Sequence, residues 1–100
     1  SDDGGGGIQI PVTKARAVAR KIMTRLVGQE KEVLARLRDE AVIENDTALV
    51  GQIDARITNL DSTIIPQIRD GIINATTVAN LKTVRQQYLA SRPQRVQDEL

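Results

Sequence analysis

The sequence predicts an all-α fold: an elongated antiparallel helical hairpin with a shorter third helix, behind a flexible Gly-rich N-terminal arm. Three observations predict it. Apolar residues recur at three- and four-residue spacings, helix formers fill the positions between them, and turn-forming clusters fall at only a few places. The chain of 100 residues also lacks His, Cys, Trp and Phe, and its one aromatic residue is Tyr88. A core must then be made from Ile, Leu, Val and Ala, where a fully buried Ile, Leu or Val contributes at most about 1.5–3 kcal/mol and Ala much less. Stripes of this kind hold more apolar surface than one slender hairpin can cover, which predicts self-association.

Three segments follow. Residues 1–12 form an arm, residues 13–90 a helical bundle domain, and residues 91–100 a polar C-terminal tail. In the arm, Asp2-Asp3-Gly4-Gly5-Gly6-Gly7 carries no apolar side chain to offset glycine's entropy cost of ordering and reads as a tether. Ile8-Gln9-Ile10-Pro11-Val12 alternates apolar and polar residues before stopping at proline. It reads either as an extended strand that adds to a neighbour or as a plain linker.

Thr13 is placed to cap a long first helix from about Lys14 to Glu44. Ala15, Ala19, Ile22, Leu26, Val33 and Leu37, spaced 4, 3, 4, 7 and 4, share a narrow stripe at 100° per residue. Gly28, about 1 kcal/mol worse than Ala in a helix, marks a close crossing or a bend. Glu30 falls inside the stripe with Gln29 at its border. A polar residue in an apolar seam often fixes register at a cost in stability.

Glu44-Asn45-Asp46-Thr47 interrupts the pattern, with Asp46 or Thr47 as the next cap. So short a turn predicts antiparallel helices. Val50, Ile53, Ile57, Leu60 and Ile64, spaced 3, 4, 3 and 4, form a seam of the coiled-coil kind over the second helix. Around Pro66 the β-branched run Ile64 to Ile73, with its Asp70-Gly71, admits a small hairpin but favours a kink or a helix break. The last helix should run from Thr76 or Thr77 to Ala90, turning Val78, Leu81, Val84, Tyr88 and Leu89 to one side and ending before Ser91-Arg92-Pro93.

Charge is balanced in total, 14 basic residues against 13 acidic, but not along the chain. Residues 14–29 hold Lys14, Arg16, Arg20, Lys21 and Arg25 with no acid, whereas residues 30–46 hold six acids and three bases. Such polarity suits head-to-tail contact between copies as well as an anionic partner. At helical spacing Lys14, Lys21 and Arg25 flank one side of the stripe, and Arg16 and Arg20 the other. A nearby helix N-terminus disfavours these cations, so they invite a phosphate, an acidic lipid or an acidic protein segment.

Several chemistries are disfavoured. Without His or Cys there is no imidazole base, thiolate nucleophile or sulfur-ligated metal site, and a disulfide scaffold is excluded. Glu40 and Glu44 share a helix face next to Asp39, but a metal site needs oxygens converging from other segments as well. No activated-serine pattern or phosphate-cradling loop is present. A helix-turn-helix around Gly28 fails because the stripe passes through the supposed turn without changing phase. No run approaches 18 consecutive apolar residues, so no membrane span is expected.

The expected function is therefore a non-enzymatic assembly subunit of a virion, phage particle, filament or scaffold, working as a homo-oligomer or within a larger protein assembly, without cofactor or metal. A cytoplasmic or virion setting fits that role. Its contact residues are drawn from Ile22, Leu26, Val33, Leu37, Val50, Ile53, Ile57, Leu60 and Ile64, some of which pack inside the hairpin. One rival is a nucleic-acid-binding or packaging module using the basic first helix. A second is an adaptor that binds a partner protein through Ile8 to Val12.

Overall fold

A computed structural model of the chain describes residues 10–100. Residues 1–7 of the Gly-rich arm, together with Ile8 and Gln9, lie outside the described residues. Every regular element among the described residues is helical: α1 (Val12–Ile43), α2 (Thr47–Asn59), a π-helical turn (Leu60–Ile64), α3 (Ile65–Ile73), α4 (Val78–Ser91) and α5 (Gln94–Glu99). The all-α expectation holds.

Helix α1 starts two residues earlier than Thr13 would have placed it. Pro11, with φ −56° and ψ 138°, stands at the N-cap, and its carbonyl accepts the Ala15 N–H at 3.0 Å. Proline has no N–H to leave unsatisfied at a helix start, so Thr13 lies inside the helix. At the other end Asn45 takes a left-handed φ of 57°. This lets the Asp46 N–H reach the Ala41 carbonyl at 2.8 Å and the Asn45 N–H reach that of Val42 at 3.1 Å, a Schellman closure. Asp46 then caps α2 by accepting the Leu49 N–H at 3.1 Å.

Pro66 does not break the chain into separate helices. Its ring would strike the carbonyl four residues back in a regular α-helix, and the wider π turn just before it carries the chain into α3, with the Ile65 N–H bonded to the Leu60 carbonyl. The Ser62 hydroxyl bonds back to the Thr58 carbonyl at 2.8 Å across this turn. Thr77 caps α4 in a reciprocal box with Asn80, at 3.1 and 3.2 Å.

The described residues measure 56 × 23 × 17 Å with a radius of gyration of 16.4 Å. A compact chain of this length would have a radius near ~13 Å, so the molecule is a rod. The 32 residues of α1 span about 48 Å and set its length. From α2 to the turn before α4 the chain meets α1 progressively nearer its start: Asp54 pairs with Arg38 at 2.7 Å, Asp61 with Lys31 at 2.6 Å, and the Ala75 carbonyl accepts from Arg16 at 2.7 Å.

Residues 91–100, expected as a polar tail, instead contain α5. Val96 on that helix is 1% exposed, and Glu99 pairs with Arg36 of α1 at 2.9 Å. Pro93 at its N-cap restarts the helix after the extended Arg92. One apolar side chain in a polar stretch carries no periodicity, which is why the sequence did not announce it.

Candidate functional site

The buried seam of α1 runs Met23, Val27, Glu30, Leu34, Leu37 and Ala41, spaced 4, 3, 4, 3 and 4. Among the stripe residues expected from sequence, Leu37 belongs to this seam and Val33 is buried beside it, whereas Ala15, Ala19 and Leu26 are half-buried against the core. The apolar arc is wide because α1 has several partners: α2 and α3 cover one edge, and α4 covers the other.

This sorts the predicted assembly residues. Val33, Leu37, Ile53, Leu60 and Ile64 are 0–8% exposed inside a single copy. These five are the members of the set that pack inside the single copy and offer no outward contact surface. Leu26 and Ile57 are half-buried against the core, while Ile22 and Val50 are half-buried nearer the surface. The large aliphatics left most exposed are others: Ile43 at 80%, Ile10 at 57%, Ile73 and Leu100 at 56% and Val42 at 52%.

Glu30 is the one charged residue buried outright among the described residues, at 0% exposure. The guanidinium of Arg56 grips its carboxylate through two hydrogen bonds of 2.7 and 3.0 Å, and the Tyr88 hydroxyl donates to it at 2.7 Å. Arg92 donates to the Tyr88 oxygen at 3.1 Å and to the Leu26 carbonyl at 2.9 Å, with its guanidinium 5.1 Å from the Tyr88 ring centre. Ser91 accepts from Arg56 at 3.2 Å and donates to the Tyr88 carbonyl at 2.6 Å. Among the described residues no buried side-chain polar atom lacks a partner. Burial pushes the Tyr88 phenol up to about 12, with further upward pressure from the Glu30 charge and an opposing pull from Arg92.

Every buried side-chain polar atom of this network finds its partner within the chain. What the network does is lock register, because sliding any of α1, α2 or α4 by one residue would leave a carboxylate or a guanidinium buried alone. Sequence reading flagged Glu30 and missed Arg56, Tyr88 and Arg92 as its partners. The signal was present in the requirement itself: a carboxylate inside an apolar stripe demands a cation, and a lone buried tyrosine demands an acceptor.

Gly28 is not a close crossing. A Cβ there would meet nothing within 4 Å, because the residue lies on an open groove. That groove, ≈ 620 Å³, runs between α1 and α3 over a floor of Met23, Val27, Ile65, Ile68 and Ile72, with Arg20, Lys31 and Arg69 along its edges. A smaller hollow of ≈ 220 Å³ lies between α1 and α4, where Ile10, Val18 and Ile22 face Val78, Lys82 and Arg85.

The predicted anion-contact residues divide. Lys14, Arg20, Lys21 and Arg25 are exposed, while Arg16 is half-buried and bound to the Ala75 carbonyl. Lys82 and Arg85 of α4 and Arg69 of α3 join them, so this half of the rod is basic, with Asp70 the sole acid in residues 12–29 and 65–91. The opposite end is acidic: residues 39–55 contain Asp39, Glu40, Glu44, Asp46 and Asp54 and no base. Of these, Asp54 is held below the usual carboxylate range by the hydrogen bonds from Arg38. Among the described residues no group of three or more His, Cys, Asp or Glu side chains is placed to hold a metal ion, and no helix is long and apolar enough to cross a membrane.

Comparison with protein-family descriptions, with curated proteins and with solved structures gives no match for this chain.

Proposed function

We propose that this chain is a non-enzymatic structural subunit that assembles through helix–helix contacts, as a component of a virion, phage particle, filament or scaffold. In this reading α1 and the α2–α3 segment are the two arms of an elongated antiparallel hairpin, α4 is the shorter third helix, and the Gly-rich arm tethers the rod to its surroundings. The observation that carries the reading is the ≈ 620 Å³ groove between α1 and α3, where the half-buried Ile65 and Ile68 and the exposed Ile73 line an open channel over the buried Met23, Val27 and Ile72. A soluble surface tolerates scattered apolar residues, but a continuous aliphatic channel along a rod gains by being covered. Among the described residues the only buried charge is neutralised within the single copy, so the contact between copies falls to these outer apolar surfaces.

Sedimentation velocity over the micromolar range tests the proposal. A defined multimer or filament whose mass falls on dilution is expected. A cooperative, fully helical monomer at every concentration would overturn it.

A second reading is favoured by one observation, the basic half of the rod. Binding to nucleic acid there would be electrostatic, since no aromatic side chain in that half is free to stack on a base.

A further inference from the structure

We infer that the α1–α3 groove receives the acidic α1–α2 turn of a second copy, joining rods head to tail. The inference rests on the assembly reading above and names its contact.

Two surfaces of this chain are unsatisfied, and they complement each other. The groove is apolar at its floor and cationic at its edges. Lys31 is paired with Asp61, but Arg20 is exposed, and Arg69 has only a loose 3.9 Å pairing with its neighbour Asp70. The turn is the converse. Val42 and Ile43 project at 52% and 80% exposure, amid Asp39, Glu40, Glu44 and Asp46, with no base between residues 39 and 55. The Schellman closure behind Asn45 pins the backbone of this tip with two hydrogen bonds, which reduces the ordering entropy lost when it docks.

Burying Val42 and Ile43 on the groove floor would set the tip carboxylates against Arg20 and Arg69. Each surface thus meets the opposite charge while its apolar centre leaves water, the arrangement of an interface with a dry core and a polar rim. The two surfaces belong to different parts of the rod. Contact between them is therefore heterologous and continues from copy to copy, which gives an open filament unless a rotation closes it into a ring.

Two variants disable one surface each without touching a buried residue: Val42→Arg with Ile43→Arg blocks the tip, and Arg20→Glu with Arg69→Glu inverts the groove edge. Sedimentation of wild type, of each double variant alone and of their equimolar mixture is the experiment. Wild type should form long oligomers, and each variant alone should be a helical monomer. The mixture should stop at a one-to-one dimer, because it retains one intact tip and one intact groove. Raising salt from about 0.05 M to 0.5 M should weaken the wild-type contact roughly tenfold.

If wild type assembles and either variant assembles equally well alone, or the mixture stays monomeric, this contact is overturned while assembly through another face stands. A wild-type monomer overturns both. Binding of wild type to a short DNA duplex or to phosphatidylglycerol vesicles, lost in the Arg20→Glu/Arg69→Glu variant while the protein remains monomeric, would assign the groove to an outside anion and overturn the contact.

Discussion

Glu30 shows how much one residue can constrain. A carboxylate at 0% exposure is tolerable only because Arg56 and Tyr88 are both bonded to it, with Arg92 bonded to the Tyr88 oxygen behind them. Replacing Glu30 by Leu leaves Arg56 buried without its anion and should cost about 3–5 kcal/mol in urea unfolding, whereas adding Arg56→Met should restore most of that loss. A double variant no better than the single one would mean the pair is not coupled. Tyr88 reports on the same cluster. With no Trp and no other Tyr, its ultraviolet absorbance isolates one phenol. The folded phenol stays protonated up to about 12, against an ordinary value near 10. The stabilisation is thus fully present below pH 10 and is lost as pH rises from there toward 12, amounting to about 2–3 kcal/mol by linkage. A native titration midpoint near 10 would show that the phenol is not held as the structure has it.

Individual elements teach through their glycines and caps. Gly71 of α3 faces α4 so closely that a Cβ would lie 2.7 Å from a methyl of Val84, a stiff β-branched neighbour that cannot swing away. Gly71→Ala should therefore lose about 1–2 kcal/mol despite its gain in helix propensity. Gly28→Ala and Gly51→Ala meet nothing within 4 Å and should each gain about 1 kcal/mol. Thermal unfolding of the three variants checks the contrast, and a stabilised Gly71→Ala would place α3 and α4 further apart than described. In sequence these glycines look alike, since the difference lies wholly in what faces them. Caps were more legible, because a cap is local chemistry: of the two candidates Asp46 and Thr47, Asp46 caps α2, and Thr77, one of the two expected starts of the last helix, caps α4. Thr13 does not cap α1, because the helix already begins two residues earlier, at Pro11, where no side chain caps it. At Pro66 the expected kink became a π turn, a remedy that no single residue type encodes.

At the scale of the whole molecule the dominant fact is polarity along a rod. Basic side chains from α1, α3 and α4 gather in one half, and the acids of the α1–α2 turn occupy the far end. The charge shift after residue 29 was visible in the sequence, but the addition of Arg69, Lys82 and Arg85 to the basic half needed the fold to bring α3 and α4 back along α1. The same folding consumed Val33, Leu37, Ile53, Leu60 and Ile64, which an unfolded listing of stripes had offered to a partner. What it left open is the α1–α3 groove.

By itself the sequence determined that this protein is helical, placed the α1–α2 turn and the start of α4 to within a residue or two, and marked Glu30 as a polar residue inside an apolar stripe, because caps, turns and 3.6-residue periodicity are decided within a few residues. Only the tertiary structure decided which apolar edge of α1 lies inside, who neutralises Glu30, and that residues 94–99 close the rod as a helix. Those outcomes depend on which surfaces, separated by 26 to 66 positions in the chain, come to exclude water from one another.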